Sequence, residues 1–131
     1  MFLSNRAGQV VNDIKDLVES GIYGREKFSD VKSGTLTIPL IMMKKEMEAN
    51  ERMRLENLFG KGDISRVDQD WLIEMVESRL PKSRLFEYVV GIYDDFLKET
   101  RSVVENRDLR VFVTWYEYKI NQVVTLLTNE K

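Results

Sequence analysis

Along most of this chain, apolar residues recur at intervals of three and four, the spacing that places them on one face of an α-helix. Near the start, seven residues follow this rule: Leu3, Ala7, Val10, Val11, Ile14, Leu17 and Val18. They predict a first helix over residues 4–18, and similar stripes predict helices through residues 39–128. The pattern therefore predicts an all-α protein, a bundle of about five or six helices in a single domain over residues 1–131.

Boundary residues divide the later part of the chain into separate helices. Pro39 suits the first turn of a helix, where a missing N–H costs little. Gly60-Lys61-Gly62 predicts a turn, after which Asp63 or Ser65 would cap the next helix. Pro81 is expected to end that helix.

Residues 21–38 form the longest break in the helical periodicity. Three glycines interrupt this segment, and apolar and polar residues alternate from Thr35 to Ile38, so we predict a loop. Ordered loops of this length are uncommon in compact domains unless they cover or build a site. The residues just before the loop are therefore the first place to look for function.

A polar stripe lies beside the apolar face of the first helix. Its members, at helical spacing, are Gln9, Asn12, Asp13 and Asp16. Two carboxylates and two amides would share one small volume, where like charges repel unless water or a cation screens them. Oxygen ligands of this kind suit a hard cation such as Mg²⁺. The stretch is thus open to two interpretations, an exposed polar face or part of a cation site.

Composition excludes several classes of function. The chain has no cysteine and no histidine, which excludes disulfides and thiolate metal sites and argues against Ser or Cys catalytic triads. The chain has 20 basic and 22 acidic residues, so its net charge creates no electrostatic field that would attract nucleic acid. We therefore expect no nucleic-acid partner. The sequence shows no secretory signal and no transmembrane segment, which predicts a cytoplasmic protein.

Two other stretches suggest chemistry, but each has a simpler interpretation. Asp94 and Asp95 are adjacent, and neighbours on a helix diverge by about 100°, so surface charge is predicted. An aromatic group near the C-terminus lacks interleaved basic residues, which favours packing over base stacking. Its members are Phe112, Trp115, Tyr116 and Tyr118.

The polar stripe and the loop together resemble a known family. After Gln9 and Asn12-Asp13-Ile14-Lys15-Asp16, the chain continues with three matching segments: Gly24-Arg25, Ser29-Asp30-Val31 and Gly34 with Thr37-Ile38-Pro39. In the trans-isoprenyl diphosphate synthases, the polyprenyl synthetase family, a glutamine likewise precedes a second aspartate-rich motif, D-D-x-x-D. A loop of the type G-K-x-x-x-S-D-[LI]-x-x-G-K-x-T-[LI]-P follows that motif. The chain is therefore similar to the C-terminal part of this family.

The resemblance implies an isoprenoid-synthase-type fold and Mg²⁺-dependent prenyl transfer. An allylic prenyl diphosphate would ionise and pass its prenyl group to isopentenyl diphosphate, while Mg²⁺ stabilises the departing diphosphate. The implied site residues are Asp13, Asp16 and Asn12 as metal ligands and Gln9, Lys32 and Thr35 as substrate contacts.

The sequence also departs from the family pattern. Asn12 replaces the first aspartate, Thr35 replaces a lysine that contacts diphosphate in the family, and Lys32 is a nearby cation. No D-D-x-x-D motif is present, so we expect a truncated C-terminal portion that is inactive alone. Apolar faces lacking their usual partners would favour a homo-oligomer or a complementing partner chain.

Two alternatives remain open at the level of sequence. In one branch of such enzymes the acceptor is a peptide pheromone, and nothing in these residues selects between a peptide and isopentenyl diphosphate. The second alternative is a non-catalytic helical subunit that uses the same fold for interaction or regulation. The altered residues Asn12 and Thr35 motivate that possibility.

Overall fold

In the computed structural model, the described residues are 2–18, 28–101 and 106–128. Within these ranges the chain forms seven α-helices and no β-strand. They are α1 (Phe2–Val18), α2 (Ser29–Ser33), α3 (Ile38–Glu46), α4 (Ala49–Leu58), α5 (Arg66–Arg79), α6 (Lys82–Arg101) and α7 (Asn106–Thr128). The predicted all-α class is confirmed, whereas the isoprenoid-synthase-type fold stays a prediction.

The predicted loop over residues 21–38 is wrong in its second half. Residues 29–33 form α2, a helix that the sequence pattern did not predict. The next helix, α3, begins at Ile38. A helix of five residues is too short to show a repeating apolar stripe, so periodicity could not reveal it. Residues 19–27 of the predicted loop lie outside the described residues.

Contacts group the chain into two compact units. One comprises residues 1–11 and 82–131, which we call the hairpin unit, and the other comprises residues 12–81, which we call the central unit. The single domain predicted from the sequence stays a prediction.

The hairpin unit is dominated by α6 and α7, which pack against each other. Because only residues 102–105 join two long helices that meet at mid-length, the helices run antiparallel. The Trp115 ring meets Tyr93 and Phe96 edge-on, with centroid distances of 5.6 and 5.4 Å. Such aromatic pairs add to the stability gained from buried area alone. The packing role predicted for Trp115 is confirmed.

The central unit contains α2 to α5 around a buried apolar core. Its fully buried side chains include Phe28, Ile14, Leu40, Met43, Leu55, Leu72 and Val31. At the start of α3, the Thr37 hydroxyl accepts a hydrogen bond from the Leu40 N–H at 3.4 Å. Ser65 caps α5 by accepting from the Asp68 N–H at 3.2 Å, which confirms one of the two predicted caps.

Two polar contacts join α4 and α5. Arg54 lies 3.0 Å from Asp68 and stacks over the Trp71 ring, whereas Arg79 donates to Glu51 at 3.2 Å. The first contact lies near the start of α5 and the second at its end, so the two helices run antiparallel. All of these side chains are partly exposed, and each contact contributes little free energy on its own.

No helix in residues 2–18, 28–101 or 106–128 combines the length and the apolar character needed to cross a lipid bilayer.

Candidate functional site

Asp16, near the end of α1, binds the first turn of α2. Its Oδ1 accepts hydrogen bonds from the N–H of Ser29 at 3.1 Å and from the Ser29 hydroxyl, and its Oδ2 accepts from the N–H of Asp30 at 3.2 Å. Phe28, which precedes the helix, supplies no side-chain cap. The first N–H groups of a helix lack intrahelical partners, so they need such acceptors. Asp16 is therefore the cap of α2, supplied from thirteen residues away.

This contact gathers three carboxylates, Asp13, Asp16 and Asp30, which we call the acidic cluster. Burial raises the pKa of Asp13, and the charge of Asp16 raises it further. Burial also raises the pKa of Asp30, and with the charges of Asp16 and Asp13 and a hydrogen bond to Asp16 the value reaches about 6. The dominant neighbours of Asp30 are thus other carboxylates, which disfavour its charged form.

The other predicted site residues differ in exposure. Asn12 and Thr35 are exposed, and the Thr35 hydroxyl lies 2.7 Å from the Ser33 hydroxyl. Lys32 is half-buried on α2, where its N–H donates to the Phe28 carbonyl at 3.0 Å. Gln9 is exposed and belongs to the first eleven residues, outside the central unit. The structure therefore brings Asp13 and Asp16 together, and their roles as ligands stay predictions.

The donor chemistry of the acidic cluster suits Mg²⁺, but its geometry suits only part of a site. Carboxylate oxygens are preferred ligands of this ion. Within the part of the chain that the structure describes, no three acidic side chains are arranged so that they could hold an ion. Both oxygens of Asp16 also face N–H groups of α2. Because Mg²⁺ often takes one or two carboxylates and completes its shell with substrate oxygens and water, a partial site is compatible with this arrangement.

Asp30 is the member of the cluster to which sequence reasoning gave no role. It lies in the Ser29-Asp30-Val31 segment that matched the family loop, so the available signal was the match itself. Its proximity to Asp16 depends on the chain returning after residue 18 and could not be read from spacing.

Comparison with known proteins adds no relative, since no family model, no curated protein and no solved structure matches the chain. The resemblance to the polyprenyl synthetase family stays an expectation based on residues 9–39. Asp16 lies close enough to Asp13 and Asp30 to raise the pKa of both, and a divalent cation held by one or two of these carboxylates would reduce that repulsion.

Proposed function

We propose that the central unit forms one wall of a Mg²⁺-dependent prenyl diphosphate site, as in the C-terminal part of a prenyltransferase. The observation that carries the proposal is the acidic cluster, which forms because Asp16 binds the Ser29 and Asp30 N–H groups and so brings Asp30 against Asp16 and Asp13. Strongly perturbed carboxyl groups that gather in one place are typical of functional sites. The collinear match between residues 9 and 39 supports the same function.

In this proposal Asp13 and Asp16 hold Mg²⁺, with the neutral amide of Asn12 beside them. Asp16 already accepts hydrogen bonds from the start of α2 through both of its carboxylate oxygens, so in this proposal it binds Mg²⁺ in addition to capping α2. When bound, Mg²⁺ supplies the positive charge that stabilises a departing diphosphate. Lys32 and Thr35, on the segment after Asp16, contact the substrate, whereas the role of Gln9 stays a prediction from the sequence.

The chain by itself is expected to bind an allylic prenyl diphosphate without turning it over. Its sequence carries one motif of the form N-D-x-x-D and no D-D-x-x-D. A full magnesium cluster would then need carboxylates from a second copy or from a complementing partner chain. The acceptor, isopentenyl diphosphate or a peptide, is not selected by any residue of the central unit.

One observation favours the alternative, a non-catalytic helical protein that acts by interaction. Both carboxylate oxygens of Asp16 accept hydrogen bonds from α2, so this motif has a structural purpose without any cation. The acidic cluster would then be a by-product of capping.

Calorimetry separates the two functions. Inorganic pyrophosphate and a prenyl thiodiphosphate are titrated into the full chain with Mg²⁺ and with EDTA. We expect Mg²⁺-dependent binding that weakens about tenfold in Asp13→Asn, the loss typical of removing a metal ligand or its support. Asp95→Asn, a matched change at an exposed aspartate of α6, should bind like the wild type.

Binding that is independent of Mg²⁺, or equal in wild type and Asp13→Asn, would contradict the metal site and support the alternative. Circular dichroism of each variant checks that its helix content is unchanged, so that lost binding is not lost folding.

A further inference from the structure

The C-terminal end of α2 is bound by a distant turn. The segment Gly60-Lys61-Gly62, which we call the glycine turn, connects α4 to α5. Gly60 N–H donates to the Val31 carbonyl at 2.8 Å, and Gly62 N–H donates to the Lys32 carbonyl at 2.9 Å. The last carbonyls of a helix lack intrahelical donors, and these two bonds help to satisfy them. The Val31 carbonyl also accepts from the Gly34 N–H at 3.2 Å, so the Gly60 N–H is its second donor.

The contact between α2 and the glycine turn requires left-handed backbone both in the turn and at the residue that ends α2. Gly60 and Gly62 have φ of 80° and 77°, and Gly34, which ends α2, has φ of 75°. A Cβ on Gly34 would lie 3.2 Å from the Gly60 Cα, whereas a Cβ on Gly62 would meet nothing within 4 Å. Position 34 therefore needs glycine both for its left-handed backbone and for its close approach to the Gly60 backbone. Position 62 needs glycine only for its left-handed backbone.

A helix as short as α2 does not persist without outside support. Nucleating a helical turn is unfavourable, and five residues add too few hydrogen bonds to offset that cost. Support comes from Asp16 at the N-terminal end and from the glycine turn at the C-terminal end. The Asp30 N–H is part of the N-terminal attachment, and the glycine turn binds the carbonyls of the next two residues, Val31 and Lys32. The place of Asp30 beside Asp16 therefore depends on both attachments.

We propose that the glycine turn is a positioning element for the acidic cluster, holding α2 so that Asp30 stays against Asp16 and Asp13. Gly60 and Gly62 act through backbone N–H groups and do not touch any ligand, which makes them positioning residues. The importance of this position for ligand binding rests on the proposed function. The positioning of α2 itself does not.

The first test is amide hydrogen exchange of the full chain by NMR across a series at one position, Gly62→Val, Gly62→Ala and Gly62→Asn. Left-handed backbone is most costly for a β-branched residue and least costly for asparagine. We expect the Ser29 and Asp30 amides to exchange about tenfold faster in Gly62→Val, less so in Gly62→Ala, and near the wild-type rate in Gly62→Asn. The buried Leu72 of α5 is the reference amide in the same unit.

Two controls complete the series. Lys61→Ala lies in the same turn but changes no glycine, and it should leave both amides unchanged. Gly34→Asn should speed exchange more than Gly60→Asn, because only at Gly34 does a Cβ meet backbone at 3.2 Å. If Gly62→Val does not fold, the Ala and Asn variants still provide the comparison.

The proposal is overturned if exchange of Ser29 and Asp30 relative to Leu72 is the same in Gly62→Ala as in wild type. It is also overturned if that exchange accelerates while Mg²⁺-dependent pyrophosphate binding stays at wild-type affinity, since α2 would then move without affecting the site. Loss of binding in Gly62→Ala with rescue in Gly62→Asn supports it. Absence of binding in the wild type would reject the proposed function, while the exchange series would still decide whether the turn positions α2.

Discussion

Two partly buried aspartates of this protein, one in each unit, lie in opposite environments. In the hairpin unit, Asp94 accepts a hydrogen bond from the Tyr116 hydroxyl, and burial together with this bond and its charge raises the pKa of Tyr116 to about 12. In the central unit, Asp30 lies against two other carboxylates. The surface position predicted for Asp94 and Asp95 is seen at Asp95, which is exposed, whereas Asp94 is half-buried and bound to Tyr116. The environment of an acidic residue thus depends on the neighbouring helix, which provides a hydrogen-bond donor to Asp94 and other carboxylates to Asp30.

The same comparison holds for the helices that carry these residues. The long helices α6 and α7 stabilise each other through a continuous buried face. In contrast, α2 has one fully buried side chain, Val31, and both of its ends bind residues distant in sequence, in addition to the local N–H groups of Gly34 and Thr35 at its C-terminal end. We expect the hairpin unit to depend mainly on packing and the acidic cluster to depend on a few hydrogen bonds, a contrast that the following changes test.

The largest effect is expected from Trp115→Ala in the hairpin unit. The change removes the edge-on contacts with Tyr93 and Phe96 and should lower the free energy of unfolding by about 3 kcal/mol. Urea unfolding followed by circular dichroism measures it. Tyr118→Ala, at an exposed position on the same helix, should stay within about 0.5 kcal/mol of wild type. Similar losses in both variants would show that the aromatic contacts are unimportant.

A smaller loss is expected from Asp16→Ala in the central unit. Two N–H groups of α2 lose their acceptor, which should cost about 2 kcal/mol, the upper range for a helix cap. Asp16→Asn keeps an acceptor oxygen and should lose less. Urea unfolding at pH 7 compares both variants with Asp70→Ala, an exposed aspartate on α5. An Asp16→Ala variant as stable as wild type would contradict the capping role.

Tyr116→Phe removes the hydroxyl that donates to Asp94 and should cost about 1 kcal/mol at pH 7. Because the folded pKa of Tyr116 is raised, its contribution is complete below about pH 10 and is lost as the pH rises through about 12. Thermal unfolding at pH 7 and at pH 11 measures this difference. If the melting temperature of the wild type falls no more than that of Tyr116→Phe between pH 7 and pH 11, the pairing of Tyr116 with Asp94 is contradicted.

The smallest effect is expected from Asp30→Asn, and its sign is opposite. The folded state raises the pKa of Asp30 to about 6 and so binds its proton more tightly than the unfolded chain does. Asp30 therefore makes the wild type lose stability as the pH rises from about 4 to about 6, and Asn removes that loss. The gain at pH 7 should be less than about 1 kcal/mol, because the carboxyl is partly exposed and screened.

Melting temperatures of wild type and Asp30→Asn at pH 4.5 and pH 7 provide the measurement. Asp95→Asn, at an exposed aspartate, should follow the wild type at both values. Parallel pH dependence in wild type and Asp30→Asn would show that the carboxylates of the cluster do not repel one another.

By itself, the sequence determined the elements whose signals are local. The apolar spacing of α1, α6 and α7 repeats over many turns, and a cap such as Ser65 acts within a single turn, so both are visible in a short window of residues. The all-α class follows from these signals. The polar stripe that contains Asp13 and Asp16 also follows from local spacing. The chemical role of that stripe does not follow from it.

Only the tertiary structure decided what Asp16 contacts. The helix α2 has too few residues for a periodic signal, and it is capped at one end by Asp16 and at the other by Gly60 and Gly62. These bonds exist because α1 and the α4–α5 turn fold back onto the same five residues. Hydrogen bonds between distant segments leave no periodicity in a sequence, and together with the burial of Phe28 and Val31 they place Asp30 beside the aspartates of α1.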